Sequence, residues 1–393
     1  FQKEYGHFIG GEWVGGDSGE KIAVSCPATG QLLAHVQSGN ALDVRRAVDA
    51  AYAAFPAWSR TMPVERQKLL LELANRLRRR TEDYGLMETL NNGKPAYEPM
   101  VFDLPMAIEF FEYFAGAGHF LHGETIDYAH ASAFIHREPV GVCAAIIPWN
   151  VPLIMMAQKL APALVAGNTV VLKPSEICGL SVLEFIRDVA DVLPPGVVNV
   201  VTGYGPNIGE ALVTDSRVRK VSFTGSKPTA QTIMQYCSRN ITPHTLELGG
   251  KSANIICEDA DLDAAAEGVV QTTIFNKGEV CLAGSRVFVH EKVMDVFLGK
   301  LQDIMKTIRH GDPTDMSTQL GPQASRAQFD KVCRYLEIGQ QEGAKVLTGG
   351  RAAKVAGFEQ GFFIEPTVFT NVTNAMTIAR EEIFGPVACV IPW

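Results

Sequence analysis

Residues 142–176 are VCAAIIPWNVPLIMMAQKLAPALVAGNTVVLKPSE, and they contain a complete strand–helix–strand pattern. Short β-branched runs at Val142–Ile147 and Thr169–Leu172 predict two strands, and the apolar segment near 153–166 predicts a helix between them. Two strands joined by a helix pair in parallel through a right-handed crossover. This stretch therefore predicts an α/β fold with a parallel sheet.

The alternation of strands and helices continues toward the C-terminus. Further strands are predicted at Val197–Val201, Lys220–Phe223 and Thr245–Leu248, with helices near 180–193, 206–213 and 228–237. Because helices then cover both faces of the sheet, we predict a doubly wound parallel-sheet domain. A second alternating region starts near residue 250 and predicts another α/β domain. Its strands are predicted at Ala253–Cys257 and Arg286–His290, and its helix near 261–275.

The segment Glu124–Arg137 alternates only weakly and interrupts this rhythm, so we predict an extended arm. The predicted division is a first domain of residues 1–123 and 138–246, an arm of residues 124–137, and a second domain of residues 247–393. The final apolar run, Phe384–Trp393, would form an exposed edge strand if the chain stopped there. We therefore expect more chain to follow, with the second domain incomplete at its C-terminus.

Composition excludes several classes of protein. Of 393 residues, 47% are hydrophobic and 20% charged, which excludes disorder and coiled coil. The 43 acidic and 35 basic residues give a net charge of −8, so we expect no nucleic-acid partner. Residues 139–158 carry no charge, but Pro139, Pro148 and Pro152 interrupt any helix there. We therefore predict a buried strand, turn and helix in this stretch and no membrane span.

The eight cysteines form no C-x-x-C pair and lie at no spacing from histidine that suggests zinc. We therefore expect no metal. Scattered thiols in a chain of this length are typical of reduced, mostly buried side chains, which predicts a cytoplasmic protein.

In an open parallel sheet, ligands bind beyond the carboxyl ends of the strands. Every predicted strand of the first domain is followed there by a polar or glycine-rich turn. These turns are Pro148–Asn150, Lys173–Glu176, Gly203–Gly205, Thr224–Ser226 and Glu247–Lys251. Since loops are polar in any protein, each turn taken alone is also compatible with a purely structural role.

Two of these turns compete as a phosphate-binding turn. Gly203–Gly209, GYGPNIG, resembles a dinucleotide fingerprint but has one residue too many before its last glycine. The segment Thr224–Ser226 precedes a helix and offers backbone N–H groups to a phosphate. Glu176 is suited to accept a hydrogen bond from a ribose hydroxyl, and Lys173 to add another.

Cys281 differs from the other cysteines in its sequence context, GEVCLAGSR, where small residues would let a substrate reach the sulfur. Most cysteines are buried structural thiols, and local sequence leaves that reading and a nucleophile about equally supported. A lowered thiol pKa would require a nearby positive charge or a helix N-terminus.

Taken together, seven strings resemble the aldehyde dehydrogenase superfamily, in the family's order and over nearly the whole chain. They are FIGGEWV (8–14), IPWN (147–150), KPSE (173–176), FTGS (223–226), LELGGK (246–251), GEVCLAGSR (278–286) and EEIFGPV (381–387). The resemblance implies that the first domain binds a dinucleotide, that the second is catalytic, and that the arm serves oligomerisation. It implies a homodimer or homotetramer.

The resemblance also implies roles for single residues. Cys281 matches the nucleophile and Glu247 the general base. Asn150 matches the side-chain donor of the oxyanion hole, and Lys159 a lysine that helps proton transfer. Residues that match cofactor contacts are Ile147, Trp149, Lys173, Ser175, Glu176, Gly205, Gly209, Phe223, Gly225, Ser226, Leu248, Gly249, Glu382 and Phe384. Within the family pattern, the phosphate turn is Gly225–Ser226, and Gly203–Gly209 becomes mainly a structural turn.

The expected reaction is oxidation of a small-molecule aldehyde to the acid, with hydrolysis of a thioester on Cys281. Two alternatives are a CoA-acylating enzyme, which would usually lack the glutamate at 247, and a structural family member without activity. The expected cofactor is NAD, because Glu176 would repel a 2′-phosphate. NADP stays open, since Lys173 and Ser175 could offset that repulsion.

Residues that match the aldehyde tunnel are Val151, Met155, Gln158, Phe275, Val280 and Leu282. They are mostly apolar, which favours an aliphatic or aromatic aldehyde. Gln158 replaces an aromatic residue that helps to cage a quaternary ammonium, so betaine aldehyde is disfavoured. Glu279 stands where the family often has Gln, and its charge would raise the pKa of Cys281. A structural alternative for Glu247 is an ion pair with Lys251.

Overall fold

The computed structural model describes residues Phe1–Trp393 and contains two compact units. The first unit comprises Phe1–Val24, Leu33–Gly85 and Met100–Glu247, and the second Ser25–Leu32, Leu86–Pro99 and Leu248–Trp393. This division differs from the predicted one, because two short N-terminal segments belong to the second unit. Backbone hydrogen bonds explain the difference: the Ala96 N–H donates to the Pro313 carbonyl (2.8 Å), and the Phe362 N–H to the Pro27 carbonyl (3.2 Å).

The strands of the first unit are β1 (Glu4–Tyr5), β2 (His7–Ile9), β3 (Glu12–Val14), β4 (Lys21–Ser25), β5 (Leu32–Gln37), β6 (Glu124–Tyr128), β7 (Ala131–Ile135), β8 (Val142–Ile146), β9 (Thr169–Lys173), β10 (Val198–Val200), β11 (Val218–Gly225) and β12 (His244–Leu248). Its helices are α1 (Ala41–Trp58), α2 (Pro63–Arg79), α3 (Thr81–Asn92), α4 (Leu104–Ala117), α5 (Pro152–Val165), α6 (Leu180–Asp188), α7 (Gly205–Thr214) and α8 (Lys227–Ser238). Helix α3 begins in the first unit and ends in the second. A π-helical turn covers Pro99–Asp103, and a 3₁₀ turn covers Gly118–Phe120.

The main sheet of the first unit has the strand order β12-β11-β8-β9-β10-β2-β3. Strand β8 pairs in parallel with both β9 and β11, and β9 pairs in parallel with β10. The chain therefore moves outward from β8 in one direction and then returns to build the other half, which makes the β8–β11 boundary a topological switch point. Every residue of β8 and β9 is buried, so both faces of the sheet are covered. The predicted doubly wound α/β fold is confirmed.

Helix α1 illustrates how local sequence positions the layers. Its N-cap, Asn40, accepts hydrogen bonds from the Leu42 and Asp43 N–H groups, and the Asp43 carboxylate accepts one from the Asn40 N–H. This reciprocal capping box satisfies N–H groups that the helix itself leaves without partners. Val44 and Val48 lie one turn apart and pack in the core with β8 and α7. The cap thus fixes where the helix starts, and the apolar spacing fixes which face it buries.

The FIGGEWV string forms a hairpin of β2 and β3 at one edge of the main sheet, a feature that the sequence analysis did not predict. The register pairs Ile9 with Glu12 across Gly10 and Gly11. Both glycines have positive φ (66° and 93°), as a two-residue type I′ turn requires. Strand β2 then adds to β10 in the antiparallel direction.

The predicted arm is a two-stranded antiparallel hairpin of β6 and β7. Nearly all of its residues are exposed, including Ile126, Tyr128, Phe134 and Ile135. An isolated two-stranded hairpin with apolar side chains in water is only marginally stable by itself.

The second unit contains strands β13 (Ala253–Ile256), β14 (Arg286–Val289), β15 (Lys345–Thr348), β16 (Thr367–Thr370) and β17 (Val387–Pro392). Its remaining helices are α9 (Leu262–Ile274), α10 (Met294–Met305), α11 (Arg326–Gln341) and α12 (Thr377–Arg380), with 3₁₀ turns at Phe275–Gly278 and Glu291–Val293. The sheet order is β13-β14-β17-β16-β15, parallel except for the β15–β16 pair.

The apolar run near the end of the sequence forms the central strand of this second sheet and not an edge strand. Strand β17 pairs with β14 on one side and β16 on the other, and Val387–Ile391 are buried. A strand covered on both faces is apolar along its whole length. Each fully buried Val or Ile side chain stabilises the fold by about 1.5–3 kcal/mol, which accounts for the composition of this run.

The structure also bears on membrane insertion, cysteine exposure and metal binding. No helix is long and apolar enough to span a membrane. The eight cysteines differ in exposure. Five are buried, Cys333 is half-buried, and only Cys257 and Cys281 are exposed. No group of three or more His, Cys, Asp or Glu side chains is arranged to hold a metal ion.

Candidate active site

A pocket of about 590 Å³ lies in the first unit at the switch point of the main sheet. It is bordered by the carboxyl ends of β8, β9 and β11 and by the starts of α7 and α8. The predicted cofactor residues that belong to this unit all line it, namely Ile147, Trp149, Lys173, Ser175, Glu176, Gly205, Gly209, Phe223, Gly225 and Ser226. The other four predicted cofactor residues, Leu248, Gly249, Glu382 and Phe384, belong to the second unit.

Both glycine turns border this pocket. A Cβ atom added at Gly205 or at Gly209 would meet nothing within 4 Å, so both positions face open space. Gly203 is different, because its φ is +148° and an added Cβ would lie 3.0 Å from the Gly39 nitrogen. Gly203 thus has a steric reason to be glycine, whereas Gly205 and Gly209 line the pocket, and the interpretation of the segment as mainly a structural turn stays a prediction.

The N-terminus of helix α8 opens at the same pocket. Ser226 is the N-cap in extended conformation, and its Oγ lies 3.0 Å from the Thr229 Oγ1. A Cβ at Gly225 would lie 2.6 Å from the Phe223 ring, so only glycine fits beside that ring. The helix dipole and the N–H groups of the first turn favour an anion at this end of the pocket.

Lys173 and Glu176 form an ion pair at the end of β9, with 3.1 Å between Nζ and Oε2. The Lys173 amine is buried and also donates to the Pro174 carbonyl (3.2 Å). Glu176 is more accessible, and both residues line the pocket. The pair places a carboxylate acceptor and an ammonium donor together, which suits recognition of a diol such as a ribose.

Lys159 lies on helix α5, where its Nζ donates to the Ser222 Oγ on β11 at 3.0 Å. Burial lowers the pKa of the Lys159 amine to about 8, and the negative charge of Glu247 opposes that shift. Ser222 was missed by the sequence analysis. Its alternation with Val221 and Phe223, which are both buried in the core, would have indicated that Ser222 faces the opposite side of β11.

The other predicted residues of the first unit are Asn150, Val151, Met155 and Gln158, which precede Lys159 in the chain, and Glu247. Asn150 is buried in the turn between β8 and α5, whereas Glu247 is exposed near the end of β12. Val151, Met155 and Gln158 are half-buried and recur at helical spacing, so they share one face of α5. The Oε1 atom of Gln158 is buried and makes no hydrogen bond.

Cys281 lies in a tight turn of the second unit that links α9 to β14. The Ala283 N–H donates to the Val280 carbonyl (3.2 Å), which brings the chain back immediately after the cysteine. Cys281 and Leu282 are exposed, whereas Val280 and Phe275 are half-buried. The exposed sulfur beside small residues has the accessibility that a nucleophile requires.

The turn before Cys281 is held by buried charges. Glu279 is fully buried and forms an ion pair with Lys277, with 2.8 Å between Oε2 and Nζ. Burial raises the pKa of the Glu279 carboxyl group, and the charge of Lys277 opposes this. The expectation that Glu279 raises the pKa of Cys281 treated it as a lone charge, and the ion pair neutralises that charge.

In the second unit, the predicted residue Gly249 lies beside Glu382, and Leu248 precedes it in the chain. The Glu382 Oε1 accepts a hydrogen bond from the Gly250 N–H (3.2 Å), and a Cβ at Gly249 would lie 2.1 Å from the Glu382 Oε2. Burial raises the pKa of Glu382. Phe384 has a φ of +60°, and the Gln328 amide on α11 donates to its carbonyl. Gln328 was not identified from the sequence, because it is distant in the chain.

The structural alternative for Glu247, an ion pair with Lys251, is wrong. The Lys251 Nζ is buried and makes no hydrogen bond. Burial lowers the pKa of this amine, the direction expected of an ammonium group removed from water.

A doubly wound sheet with a pocket at its switch point is the arrangement in which many α/β proteins bind a nucleotide. The aldehyde dehydrogenase family model matches residues 13–393. The chain belongs to the aldehyde dehydrogenase family, and the resemblance stated from the sequence is confirmed. By class it is an NAD(P)-dependent aldehyde dehydrogenase.

Individual relatives agree with this assignment. An aldehyde dehydrogenase of Paracoccus denitrificans (strain Pd 1222) is 44% identical over an alignment of 398 positions, which covers 99% of this chain and 78% of that one. The NAD⁺ complex of an aldehyde dehydrogenase from Bacillus cereus matches with a TM-score of 0.96 and 41% identity, over 99% of this chain and 79% of that one. The aldehyde dehydrogenase KauB from Pseudomonas aeruginosa matches with a TM-score of 0.97 and 40% identity, over 100% and 80%.

Proposed function

We propose that this protein oxidises an aldehyde to the carboxylic acid with NAD, through a thioester on Cys281 that water hydrolyses. The observation that carries the hydrolytic assignment is the electrostatic coupling of Glu247 to Lys159. A carboxylate whose charge acts on a buried amine with a pKa lowered to about 8 is suited to take a proton from water and pass it on. A CoA-acylating enzyme has no need of such a base, because a thiol replaces water.

The first step is nucleophilic attack. An aldehyde has no leaving group, so hydride departs only after the carbonyl carbon has become tetrahedral. The Cys281 thiolate adds to that carbon, and the oxygen takes the negative charge of the broken π bond. The Asn150 side-chain amide and the Cys281 backbone N–H are the proposed donors to this oxyanion. Removal of such a donor typically raises the barrier by about 3–4 kcal/mol.

The pocket of the first unit fits the adenosine and pyrophosphate of a dinucleotide. Gly205 and Gly209 leave room for close approach, the start of α8 attracts an anion, and Lys173 with Glu176 suits a ribose. When bound, the nicotinamide supplies the acceptor for the hydride. The Glu176 carboxylate favours a ribose hydroxyl over a 2′-phosphate, so we assign NAD. The Bacillus cereus relative is described as an NAD⁺ complex, which agrees with this choice.

Hydrolysis completes the reaction. Glu247 takes a proton from water as the oxygen attacks the thioester carbon, the C–S bond breaks, and Cys281 leaves as thiolate. Lys159, held by Ser222, can accept the proton from Glu247 when its amine is neutral. In balance, the aldehyde loses a hydride to NAD⁺ and gains the oxygen of water, which yields the carboxylate and two protons.

For the substrate, we assign an aliphatic or aromatic aldehyde. The support is the largely apolar set of residues expected along the tunnel, which are Val151, Met155, Gln158, Phe275, Val280 and Leu282. Gln158 offers no π face for a quaternary ammonium group, which disfavours betaine aldehyde.

We assign the hairpin of β6 and β7 an oligomerisation role, in a homodimer or homotetramer. Its exposed Ile126, Tyr128, Phe134 and Ile135 are the support, because apolar side chains on an isolated hairpin gain stability when another surface covers them.

The Glu247→Gln substitution tests the hydrolytic assignment. Without the base, the thioester accumulates, so we expect one burst of NADH of about one equivalent per subunit and little further turnover. The measurement is rapid-mixing absorbance at 340 nm. Glu267→Gln, which changes an exposed glutamate of α9, is the matched control and is expected to turn over like the wild type. Steady turnover of Glu247→Gln without added thiol would contradict the role of Glu247, and wild-type turnover that depends on added CoA would favour the acylating alternative.

A further inference from the structure

The three residues that lead into the cysteine turn have an unusual backbone. Asn276, Lys277 and Gly278 all have positive φ, at 43°, 62° and 74°. Residues other than glycine rarely adopt this region, and consecutive ones persist only where surrounding contacts hold them. Gly278 has a steric reason as well, because an added Cβ would lie 2.1 Å from the Gly385 carbonyl oxygen. The backbone before Cys281 is therefore strained and needs specific partners.

Those partners form a buried polar cluster, which we define as Asn92, Glu98, Lys277, Glu279 and Gln323. All five residues belong to the second unit, and all are at most 2% exposed. Two of them hold the backbone of the left-handed run directly. The Glu98 Oε2 accepts from the Asn276 N–H at 2.9 Å, and the Gln323 Nε2 donates to the Lys277 carbonyl at 3.2 Å.

The Lys277 side chain fixes the run from the other direction. Its Nζ donates to the Asn92 carbonyl at 2.9 Å and to the Asn92 side-chain oxygen, at the C-terminal end of α3. The same Nζ pairs with Glu279, whose Oε1 accepts from the Ala324 N–H at 2.9 Å. Lys277 thus ties residues on both sides of Gly278 to segments far away in the sequence.

A second buried ion pair acts electrostatically on Glu279. Lys94 and Glu88 pair at 3.4 Å with almost no exposure, and the charge of Lys94 favours the ionised form of Glu279. Buried ion pairs contribute little net stability compared with apolar residues of the same size, because both charges lose their hydration. The best supported role of buried ion pairs is to favour one conformation over alternatives that would pack equally well. The conformation specified here is the one that leads into Cys281.

We infer that the buried polar cluster is a positioning device for Cys281. Lys277 and Glu279 hold the left-handed run so that the thiol and the backbone N–H of Cys281 keep one orientation toward the carbonyl carbon. These residues act through the turn and are not catalytic residues themselves. The inference rests on the proposed function only in taking Cys281 as the nucleophile.

The test compares Glu279→Gln, Lys277→Gln and the double variant. Each single change leaves one buried charge without its counter-charge, whereas the double variant restores a neutral amide pair. We expect each single variant to lose on the order of 10- to 100-fold in kcat and in the rate of Cys281 alkylation by iodoacetamide, with an unchanged KM for NAD. The double variant should recover most of both rates. Rescue by the double variant is an outcome that loss of a general structural contact would not produce.

A milder variant keeps the inference testable if the single charge variants do not fold. Gln323→Met removes the donor to the Lys277 carbonyl without leaving a charge, and we expect a loss of about fivefold in alkylation rate and kcat. Leu301→Ala is the control for stability, because it opens a cavity in α10 of the same unit. It should lower Tm yet leave both rates unchanged at temperatures where the protein is folded.

The inference is overturned if the folded single variants, or Gln323→Met, alkylate at the wild-type rate, or if they lose rate only to the extent that Leu301→Ala does. Alkylation is measured without substrate or turnover, so it reports on the cluster even if the proposed reaction is wrong. Failure of the proposed function would instead appear as turnover that survives removal of Cys281.

Discussion

The pocket of the first unit and the cysteine turn of the second are built in different ways. The pocket is lined by short turns that follow neighbouring strands of one sheet, and by the first residues of helices α7 and α8. We infer that the cysteine turn depends on the buried polar cluster, whose members Asn92, Glu98, Lys277, Glu279 and Gln323 come from three separate segments. The proposed phosphate and sugar contacts thus come from strand ends, whereas the proposed orientation of Cys281 depends on contacts between segments that are distant in the sequence.

This difference explains what the sequence could predict. Strand ends are visible as polar turns after apolar runs, and these turns together with the family resemblance predict part of the pocket lining, including Lys173, Glu176 and Ser226. The members of the buried polar cluster were not identified in advance, because nothing near Asn92 or Glu98 in the chain indicates that they face residue 277. Ser222 and Gln328 were missed for a related reason, since each acts through a partner on another element.

One helix boundary and one missed hairpin have different causes. Helix α6 was expected to reach residue 193 but ends at Asp188, whose carbonyl is satisfied by the Arg76 guanidinium of α2 at 2.8 Å. Propensity cannot reveal such a tertiary contact. The β2–β3 hairpin, in contrast, had a usable signal: two glycines between alternating residues in FIGGEWV are typical of a type I′ turn.

The largest effect is expected from Cys281→Ala, which should abolish oxidation without changing NAD binding. Cys281→Ala removes the nucleophile of the second unit but leaves the pocket of the first unit intact. We expect oxidation to fall on the order of 10⁴-fold or more, with the dissociation constant for NAD within about twofold of wild type. The measurements are steady-state NADH formation and NAD titration by fluorescence. Cys257→Ala, the other exposed cysteine, is the control and should be fully active. Unchanged turnover of Cys281→Ala would contradict the assignment of the nucleophile.

A smaller effect is expected from a change at Glu176, in the pocket of the first unit. Glu176→Gln weakens the acceptor for a ribose hydroxyl and removes the charge that disfavours a 2′-phosphate. We expect the KM for NAD to rise about tenfold, because a hydrogen bond to a charged group contributes about 1.5–3 kcal/mol. We also expect the ratio of kcat/KM for NAD to kcat/KM for NADP to decrease. Alkylation of Cys281 should not change. Glu210→Gln, an exposed position on α7, is the matched control. A selectivity for NAD that stays at the wild-type value in Glu176→Gln would show that another residue sets it.

The smallest effect is a change in the shape of a pH profile. Because burial places the pKa of Lys159 near 8, its amine is mostly protonated below that pH and mostly neutral above it. Only the neutral amine accepts a proton from Glu247, so kcat should rise as pH increases through about 8. Lys159→Met should lose this rise, whereas Lys68→Met, an exposed lysine of α2, should keep it. A rise near pH 8 that persists in Lys159→Met would exclude Lys159 as its source.

The most direct test of the central claim is to locate the acyl group. The Glu247→Gln variant is mixed with NAD and an aliphatic aldehyde, quenched in acid, digested and analysed by mass spectrometry. The account predicts that the peptide containing Cys281 gains the mass of the acyl group in about one equivalent per subunit, while the peptide containing Cys257 stays unmodified. An acyl group on another residue, or a full NADH burst with Cys281 unmodified, would contradict it.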